Sequence, residues 1–552
     1  MNRTVLGNII RGSLLEGLDM KLLEHVPLES IRAGKFLVVE GEQYDFFSII
    51  TDMRLAAKNE DLLSSPPNFH HDLIRHIVSG TLTYSIVSLH PMLMREKHKD
   101  AVIEPVKTIP PHFAAVAEAT DEDIASVFGT ESRNETEKRK FFYIGTPLNM
   151  SQPVCLDLER FAERSSAVFG RTGTGKTFIT RLLLAGLIKT DTAVNLVFDM
   201  HSEYGTKGTS EAPGQSSVKG LQPLFASRGK VKIYSLDPAS TRSRGAYCDR
   251  EVRLGTNTIE PEDILLLQDE LGLPPTAAEY TSILKGEFGE DWLRHSMNLM
   301  DNPEEAQEFA KKKNLMLNSM QALLRRLRRL RSVCEFLDFS NNKDKLNVIE
   351  ELIKDLQRGV SVVIEFGKYD NMLSYLLVAN IITRHVEKAY KDATDKYLCT
   401  QSLQNKPKQL VITIEEAHKF LNPRAASQTS FGKIARELRK YYVSLLLVDQ
   451  RPSGIDDEVL SQIGTKIIAA LSDEKDINAV LSGVSNAGGM RNVLASLDTR
   501  QQVLILGHAV PMPIVIRTRN YDADFYAAIG FTEGRARQEK VEHLFKAMFP
   551  EE

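Results

Sequence analysis

The chain has 552 residues, a formal net charge of −4 at pH 7, 42% hydrophobic residues and 26% charged residues. This length suits two or three domains, and the balance is that of a globular protein, which excludes a disordered chain and a polycation. Any nucleic-acid contact must therefore come from a local basic surface rather than from bulk charge.

The four cysteines lie far apart, and no two of them form a CxxC pair. This spacing fits neither a zinc site nor a dense disulfide framework, so we expect a reducing, cytoplasmic environment. Nothing in the sequence approaches the roughly 20 apolar residues that are needed to span a bilayer. We therefore expect no membrane partner.

The first 120 residues show the pattern of a small β-domain. Short apolar runs, such as FLVV at 36–39 and FFSII at 46–50, alternate with turns rich in Gly, Asp and Glu. Runs of this kind predict a barrel or a sandwich rather than long helices. The highly charged stretch that follows predicts a solvated connector, which we place at residues 121–150.

After residue 150 apolar runs alternate with helical stretches, which is typical of an α/β domain whose parallel strands are buried on both faces. This core comprises residues 151–256 and 358–518. The predicted strands are residues 166–169, 194–199, 231–234, 360–366, 410–414, 443–448, 502–506 and 514–516.

Two segments interrupt this core. Residues 257–357 are charged and helix-like, with no strong strand candidate, and they predict a helical insertion. Residues 205–220 (GTKGTSEAPGQSSVKG) have the composition of a flexible loop. Beyond the last strand, residues 519–552 are interpreted as a tail that braces a neighbouring subunit or packs on its own domain.

The segment GRTGTGKT at 170–177 follows an apolar run and opens an amphipathic helix. It matches the phosphate-binding pattern GxxxxGK(S/T) in full, in which glycines let backbone N–H groups surround phosphate oxygens. Lys176 is expected to reach the β- and γ-phosphates and Thr177 to bind Mg²⁺. We therefore predict ATP and Mg²⁺ as cofactors. The expected nucleotide contacts are Gly170, Arg171, Thr172, Gly173, Thr174, Gly175, Lys176, Thr177 and Phe178.

An ATPase site also needs an acidic strand end that holds Mg²⁺ and activates water. The predicted strand at 410–414 is followed by Glu415 and Glu416. We predict that Glu415, where Asp is the usual residue, lies in the outer sphere of the metal and that Glu416 polarises the attacking water. The alternative is a pair of solvated carboxylates at a strand end.

Two further strand ends carry polar candidates for the same site. Gln450 follows the run 443–449 and is expected to sense the γ-phosphate or to orient water, unless it is a structural amide. The residues DMHSEY at 199–204 end another strand, at the edge where α/β sheets bind ligands. An ordinary turn would have the same pattern.

Phosphoryl transfer also needs a cation for the developing charge, often an arginine from a neighbouring subunit. The segment IARELRK at 434–440 offers Arg439 as the leading candidate and Arg436 as the second, three residues apart on one predicted helical face. Arg451 and Arg164 are lesser candidates. The alternative for the leading pair is an ion pair with Glu437, or solvation.

These motifs, in this order, resemble those of the HerA-type DNA translocases of the HerA–FtsK superfamily. The resemblance runs from about residue 145 to 520 and is carried by GRTGTGKT, DMHSEYG, ITIEEAHKFL, ARELRKYYVSLLLVDQRPSGIDDEVLSQIGTKII and QQVLILGHAVPMPIVIRT. It implies an α/β, RecA-like P-loop ATPase core with an N-terminal small β-barrel and a helical insertion.

The resemblance also implies a hexameric ring that moves double-stranded DNA through its centre by ATP hydrolysis. It assigns the phosphate-loop role to Lys176 and Thr177. It makes Glu416 the catalytic carboxylate, Gln450 the sensor-like amide and Arg439 the arginine that acts on a neighbouring subunit. Proteins of this type work with a nuclease such as NurA or, in antiviral defence, with a sirtuin-like or other effector.

The sequence leaves the DNA-facing surface open. The residues RRLRRLR at 325–331 form either a DNA-facing helix or a solvated or subunit-facing helix with Leu327 and Leu330 inward. Lys207 and Lys219 are alternative cations for a DNA pore.

Two other functions fit the same motifs. The first is a nucleotide-controlled ring scaffold that assembles and activates a nuclease or NADase partner, with translocation secondary. The second is a secretion or conjugation ATPase of the same superfamily, which the expected absence of a membrane anchor disfavours.

Overall fold

The computed structural model describes residues 3–58, 64, 82–97, 102–131, 140–209, 217–339, 348–426, 429–484 and 486–531. Its first seven strands are β1 (Val5–Ser13), β2 (Gly17–Leu22), β3 (Phe36–Glu40), β4 (Tyr44–Ala57), β5 (Thr83–Glu96), β6 (Ile103–Pro105) and β7 (Ala115–Glu118). In the described residues, six of them pair in the order β2–β1–β7–β3–β4–β5, and β5 pairs back to β2. The N-terminal domain is therefore a closed antiparallel barrel, one of the two predicted forms.

The barrel has two apolar faces because successive side chains of a strand point to opposite sides. Leu37 and Val39 of β3 pack inside the barrel with Phe46 of β4. Val38 and Phe47 belong instead to the core of the following domain. One face of β3 and β4 therefore packs inside the barrel, and the opposite face packs against the following domain.

The segment 121–150, predicted to be a solvated connector, is structured where it is described. It begins with helix α1 (Asp121–Phe128). Asp123 of this helix is buried, and its carboxylate lies 2.8 Å from the guanidinium of Arg3 and 2.9 Å from that of Arg95. Asp123 therefore belongs to an ion-pair network that joins the helix to the barrel, and the expectation of a solvated side chain is wrong for this residue, whereas Asp121 and Glu122 are exposed.

The remaining strands are β8 (Phe141–Pro147), β9 (Val154–Asp157), β10 (Ser166–Phe169), β11 (Val194–Asp199), β12 (Lys207–Thr209), β13 (Ser217–Lys219), β14 (Val231–Ser235), β15 (Arg250–Glu251), β16 (Leu254–Gly255), β17 (Leu337–Asp338), β18 (Ser361–Glu365), β19 (Leu410–Glu415), β20 (Val443–Asp449), β21 (Thr465–Ile468), β22 (Gln502–Gly507) and β23 (Ile514–Thr518). Every strand that the sequence predicts after residue 150 is present.

The other helices of the described residues are α2 (Leu158–Glu163), α3 (Lys176–Lys189), α4 (Leu221–Phe225), α5 (Pro238–Ser243), α6 (Pro261–Leu265), α7 (Gln268–Leu271), α8 (Ala277–Phe288), α9 (Trp292–Asp301), α10 (Pro303–Lys312), α11 (Leu317–Val333), α12 (Val348–Gln357), α13 (Met372–Thr400), α14 (Ser430–Glu437), α15 (Asp457–Ser461), α16 (Glu474–Leu481), α17 (Ala487–Ala495) and α18 (Ala523–Ala528). None of these described helices combines the length and the apolar character needed to cross a membrane.

A single mixed sheet organises the second domain. Among the described residues its strands lie in the order β15–β14–β18–β11–β19–β20–β10–β21–β22–β23–β8–β9. The strands from β15 to β21 are parallel, whereas β22, β23, β8 and β9 continue the sheet in antiparallel fashion. The expected α/β class is confirmed, and the six strands predicted between residues 166 and 448 all lie in the parallel part of the sheet. Within the parallel part, β20 separates β10 from β19, so three strand ends converge at one edge.

The stretch 205–220, predicted to be a flexible loop, is partly ordered. Residues on its two sides form β12 and β13, which pair antiparallel with Lys207 opposite Lys219. Residues 210–216 lie outside the described residues, as do 532–552 of the predicted C-terminal tail.

The predicted insertion at 257–357 is helical over its described residues and runs from α6 to α12, apart from the short strand β17. In α11, Leu327 and Leu330 are fully buried while the five arginines between 325 and 331 are exposed. Leu327 and Leu330 therefore point inward, whereas the choice between a DNA-facing helix and a solvated or subunit-facing one stays a prediction. The domain boundaries as such stay predictions.

Candidate active site

The predicted phosphate loop joins the end of β10 to the start of α3. Its first residue is anchored to the neighbouring strand, because the N–H of Gly170 donates to the carbonyl oxygen of Asp449 at 3.2 Å. Gly173 and Gly175 have φ angles of 79° and 89°, a region that favours glycine. A Cβ added to either one would meet no heavy atom within 4 Å. The loop therefore keeps open space beside its backbone, as a phosphate cradle requires.

Lys176 is folded back over this loop. Its Nζ donates to the carbonyl oxygens of Gly170 at 2.7 Å and Arg171 at 3.0 Å. Burial lowers the pKa of Lys176, and the negative charges of Glu416 and Asp449 oppose that effect. Within the described residues, the ammonium group thus donates only to neutral carbonyls, which an anionic phosphate can replace.

Gln450 connects the phosphate loop to the acidic strand end. Its Oε1 accepts from the hydroxyl of Thr172 at 2.8 Å, and its Nε2 donates to Oε1 of Glu416 at 3.2 Å. Three residues that the sequence assigned to one site therefore form a continuous hydrogen-bonded chain. Their catalytic roles stay predictions.

Glu416 follows β19 in an unusual conformation. Its φ of 49° lies in the left-handed region, which costs a non-glycine residue about 1–3 kcal/mol, and strain of this kind is enriched at functional sites. Two residues that the sequence analysis did not select surround it. His418 Nδ1 lies 3.0 Å from Oδ2 of Asp449 and 3.6 Å from Oε2 of Glu416. Asp449 ends β20, and this acidic strand end was the signal that could have found it.

Glu415 is partly buried, and only one of its two carboxylate oxygens is hydrogen-bonded to a described residue. Its Oε1 accepts from the hydroxyl of Tyr204 at 2.8 Å, whereas its Oε2 has no hydrogen-bond partner among the described residues. Burial, and after it the charge of Asp199, raises the pKa of Glu415 to about 8. A carboxyl group of this kind is neutral at pH 7 unless a cation approaches it.

Residues 199–204 form a turn that is held by hydrogen bonds to the carboxylate of Asp199. The carboxylate of Asp199 accepts the backbone N–H groups of Glu203 at 2.7 Å and Tyr204 at 2.8 Å. Burial, followed by the charge of Glu365 on the neighbouring strand β18, raises the pKa of Asp199 to about 7. Asp199 therefore holds the turn that delivers the Tyr204 hydroxyl to Glu415.

The donor set at this edge suits Mg²⁺. Thr177 is the second residue of α3, Glu415 ends β19 with an Oε2 that has no hydrogen-bond partner among the described residues, and Glu416 directly follows that strand. Hydroxyl and carboxylate oxygens are the ligands that Mg²⁺ prefers. An unpartnered buried carboxylate oxygen is also what a site prepared for a cation would contain.

Glu415→Gln is expected to flatten the pH dependence of stability in the absence of Mg²⁺ and nucleotide. The folded-state pKa of about 8 exceeds the ordinary 4.5, so between these values only the folded state holds the proton. The free energy of unfolding therefore falls as pH rises through this window, by at most about 1.4 kcal/mol per pH unit for one proton. The variant has no such proton to lose.

Thermal melting at intervals from pH 5.5 to 8.5 measures this effect. Asp199 contributes in the same direction and is retained, so the slope of Tm against pH should decrease without disappearing. Glu308→Gln, at an exposed position of α10, is the matched control. An unchanged slope in Glu415→Gln would contradict the shifted pKa.

The candidate arginines do not join this cluster. Arg439 lies in a turn directly before β20, at the amino end of a strand whose carboxyl end leads into Gln450. The seven residues of β20 separate the two ends by about 20 Å. The guanidinium of Arg439 is hydrogen-bonded to the carboxylate of Glu163. The leading candidate for a trans-acting arginine is thus far from the nucleotide loop of its own chain.

The three other arginines differ in their environments. Helix α14 ends at Glu437, so the expectation of one helical face for Arg436 and Arg439 is wrong. Arg436 donates to the carbonyl oxygen of Ala426 at 2.8 Å. Of these three arginines, Arg451 is the one that is adjacent to Gln450 in the sequence, and its backbone N–H donates to Oδ1 of Asp449. Arg164 lies beside Glu163 at the amino edge of the sheet.

Comparison with known proteins agrees with this geometry. Residues 142–386 match the family described as "Helicase HerA, central domain". The chain is 23% identical over 529 residues to a Sulfolobus acidocaldarius protein named DNA double-strand break repair helicase HerA, with 93% of this chain and 94% of the relative covered. It is 22% identical over 432 residues to the protein of the same name from Pyrococcus furiosus, with 74% and 73% covered.

Solved structures with similar chains include VirB4 of Thermoanaerobacter pseudethanolicus, with a TM-score of 0.40, 13% identity and coverage of 70% of this chain and 98% of that one. The plasmid coupling protein TrwB in complex with a non-hydrolysable GTP analogue gives a TM-score of 0.41, 14% identity and coverage of 71% and 96%.

Proposed function

Because this chain carries the central domain of the HerA helicases, we propose that it is an ATPase that moves double-stranded DNA through a hexameric ring and acts with a partner nuclease or defence effector. The observation that carries the proposal is the hydrogen-bonded chain from Thr172 through Gln450 to Glu416. It joins a phosphate loop to a carboxylate that can activate water. The relatives' shared name, DNA double-strand break repair helicase, supports DNA as the substrate.

The residues of this site divide the work of hydrolysis. The backbone N–H groups around Gly173 and Gly175 receive the phosphates, and Lys176 leaves its two carbonyl partners to neutralise them. Glu416 takes a proton from the attacking water, and Gln450 orients that water through the amide that already contacts Glu416. Thr177 and Glu415 would hold Mg²⁺, which neutralises charge on the phosphates when bound.

Arg439 completes the site of a neighbouring subunit in this proposal. Its position at the amino edge of the sheet, about 20 Å from its own loop by the length of β20, argues against action within one chain. A half-exposed guanidinium at such an edge can reach a phosphate only across an interface. An arginine is suited to this because its planar donors match phosphate oxygens.

Helix α11 is our candidate for contact with the DNA backbone. Five of its arginines are exposed, namely Arg325, Arg326, Arg328, Arg329 and Arg331. Among the described residues, only Arg331 has a carboxylate within 4 Å, that of Asp301 at 3.7 Å. Unneutralised arginines on one helix supply the local basic surface that a chain of net charge −4 needs in order to bind phosphates.

Duplex DNA is expected to raise the kcat of ATP hydrolysis several-fold, and ATP should drive the displacement of a triplex-forming strand from linear duplex. Both follow if hydrolysis is coupled to movement along DNA. The measurements are steady-state hydrolysis with and without linear duplex, and strand displacement at low ionic strength, because phosphate contacts weaken with salt. Native mass measures the subunit number.

A kcat of ATP hydrolysis that does not change when duplex DNA is added, together with no strand displacement, would contradict the proposal. A partner that stays fully active with Glu416→Gln would then favour the ring scaffold over the motor.

A further inference from the structure

The carboxylate of Glu163 bridges the side chains of Arg439 and His508 at the amino edge of the sheet. Its Oε1 accepts from the guanidinium of Arg439, and its Oε2 lies 3.0 Å from Nε2 of His508. Glu163 ends α2 just before β10, and His508 follows the antiparallel β22, so both lie at the edge where Arg439 precedes β20. Three elements distant in sequence therefore converge on one carboxylate.

The Glu163 carboxylate holds the Arg439 side chain in one position. Of the residues that the structure describes, Glu163 alone contacts the Arg439 guanidinium by hydrogen bond or ion pair. The hydrogen bond with His508, followed by that with Arg439, lowers the pKa of Glu163, so the group stays charged at neutral pH. His508 also fixes the second carboxylate oxygen, which leaves Glu163 one orientation in which to receive the arginine.

The contact leaves most of the guanidinium free. Arg439 is 54% exposed, and only its Nη2 is engaged. A guanidinium carries five N–H donors, so four remain for a phosphate on another molecule. Arginine side chains lose much rotamer freedom when they are immobilised. A carboxylate that immobilises the group beforehand removes that cost from the catalytic step.

We propose that Glu163, supported by His508, is a positioning residue that holds the Arg439 guanidinium for the nucleotide site of a second copy of this chain. This inference rests on the proposed trans role of Arg439. Neither Glu163 nor His508 was selected from the sequence, because their meeting depends on the antiparallel turn of β22 back to the amino edge.

Substitution of Glu163 distinguishes a positioning role of its carboxylate from a purely electrostatic effect on phosphate binding. Without its negative charge, the edge that carries Arg164, Arg439 and His508 becomes more positive and would attract phosphate more strongly. Electrostatics alone therefore predicts an equal or faster rate. Loss of positioning predicts a slower rate, so the sign of the change decides between the two.

Glu163→Gln and Glu163→Ala are expected to lower the kcat of ATP hydrolysis by about tenfold. This is less than the hundredfold to thousandfold cost of removing a direct transition-state contact, because the Arg439 guanidinium itself remains. The KM for ATP should stay within about twofold. His508→Gln should give a smaller loss of the same kind. Thermal melting and native mass verify folding and assembly, and Glu308→Gln is the control. An unchanged or increased kcat in both Glu163 variants would overturn the proposal.

Mixed rings test the direction of the effect. Lys176→Ala subunits cannot hydrolyse ATP but carry intact Glu163 and Arg439. If these residues act across the interface, adding such subunits to Glu163→Ala subunits should restore hydrolysis at the junctions, and the same addition should restore Arg439→Ala subunits. A structural role of Glu163 within its own chain predicts no restoration.

The two mixed-ring experiments distinguish failure of the positioning role of Glu163 from failure of the trans role of Arg439. Restoration of Arg439→Ala without restoration of Glu163→Ala would overturn the positioning role and leave the trans arginine intact. If neither variant is restored, the trans role of Arg439 fails, and the positioning role fails with it.

Discussion

Lys176→Ala is expected to lower the kcat of ATP hydrolysis by about a hundredfold to a thousandfold, the usual cost of removing one preorganised charge donor from a phosphate or oxyanion site. The structure gives the physical reason. The Lys176 ammonium is held over the loop by the carbonyl oxygens of Gly170 and Arg171 and is ready to move to phosphate oxygens. No other lysine of the loop can replace it, because 170–177 contains one lysine.

The fold should tolerate this change. Arg171 is exposed, so water can satisfy its carbonyl oxygen, and only the oxygen of the buried Gly170 loses a partner. The Tm should therefore fall only slightly. Lys354→Ala is the matched control, since that lysine is 58% exposed on α12. Nucleotide-binding and hydrolysis assays on both variants complete the test. A Lys176→Ala protein with near-normal kcat would mean that the loop does not bind the hydrolysed phosphates.

The parts of the site that are local in sequence could be predicted. The phosphate loop, Glu416 and Gln450 each follow an apolar run, and a buried parallel strand makes its carboxyl end a ligand edge. Asp449 ends an apolar run in the same way and was overlooked, whereas His418 could not be selected, because its pairing with Asp449 depends on β19 and β20 being neighbours. Strand order is a property of the whole sheet and leaves no trace in a local pattern.

Charge composition was the weakest guide to the fold. Asp123 seemed solvated because its neighbours in sequence are acidic, yet Arg3 and Arg95 neutralise it from 120 and 28 residues away. The closure of the barrel through β2 and β5 is equally non-local. Apolar alternation identified the strands, but only long-range pairing decides between barrel and sandwich.

Glu416→Gln is expected to lower kcat by about a hundredfold to ten-thousandfold while ATP binding is retained or strengthened. The amide cannot take the proton of the attacking water, and loss of general-base catalysis costs this much. Its oxygen can still accept the Nε2 donor of Gln450, so the link to the phosphate loop persists. Removing a negative charge beside the phosphates favours nucleotide binding.

A third variant tests whether the backbone strain at Glu416 is retained for function. Its φ of 49° is unfavourable for any side chain, so Glu416→Gly should raise the free energy of unfolding by about 1 kcal/mol while abolishing hydrolysis as Glu416→Gln does. Single-turnover hydrolysis, nucleotide binding and thermal melting measure the three properties, with Glu308→Gln as control. A near-normal rate in Glu416→Gln would transfer the base role to the His418–Asp449 pair. A lower Tm in the glycine variant would mean that the Glu416 side chain stabilises the fold by more than its backbone strain costs.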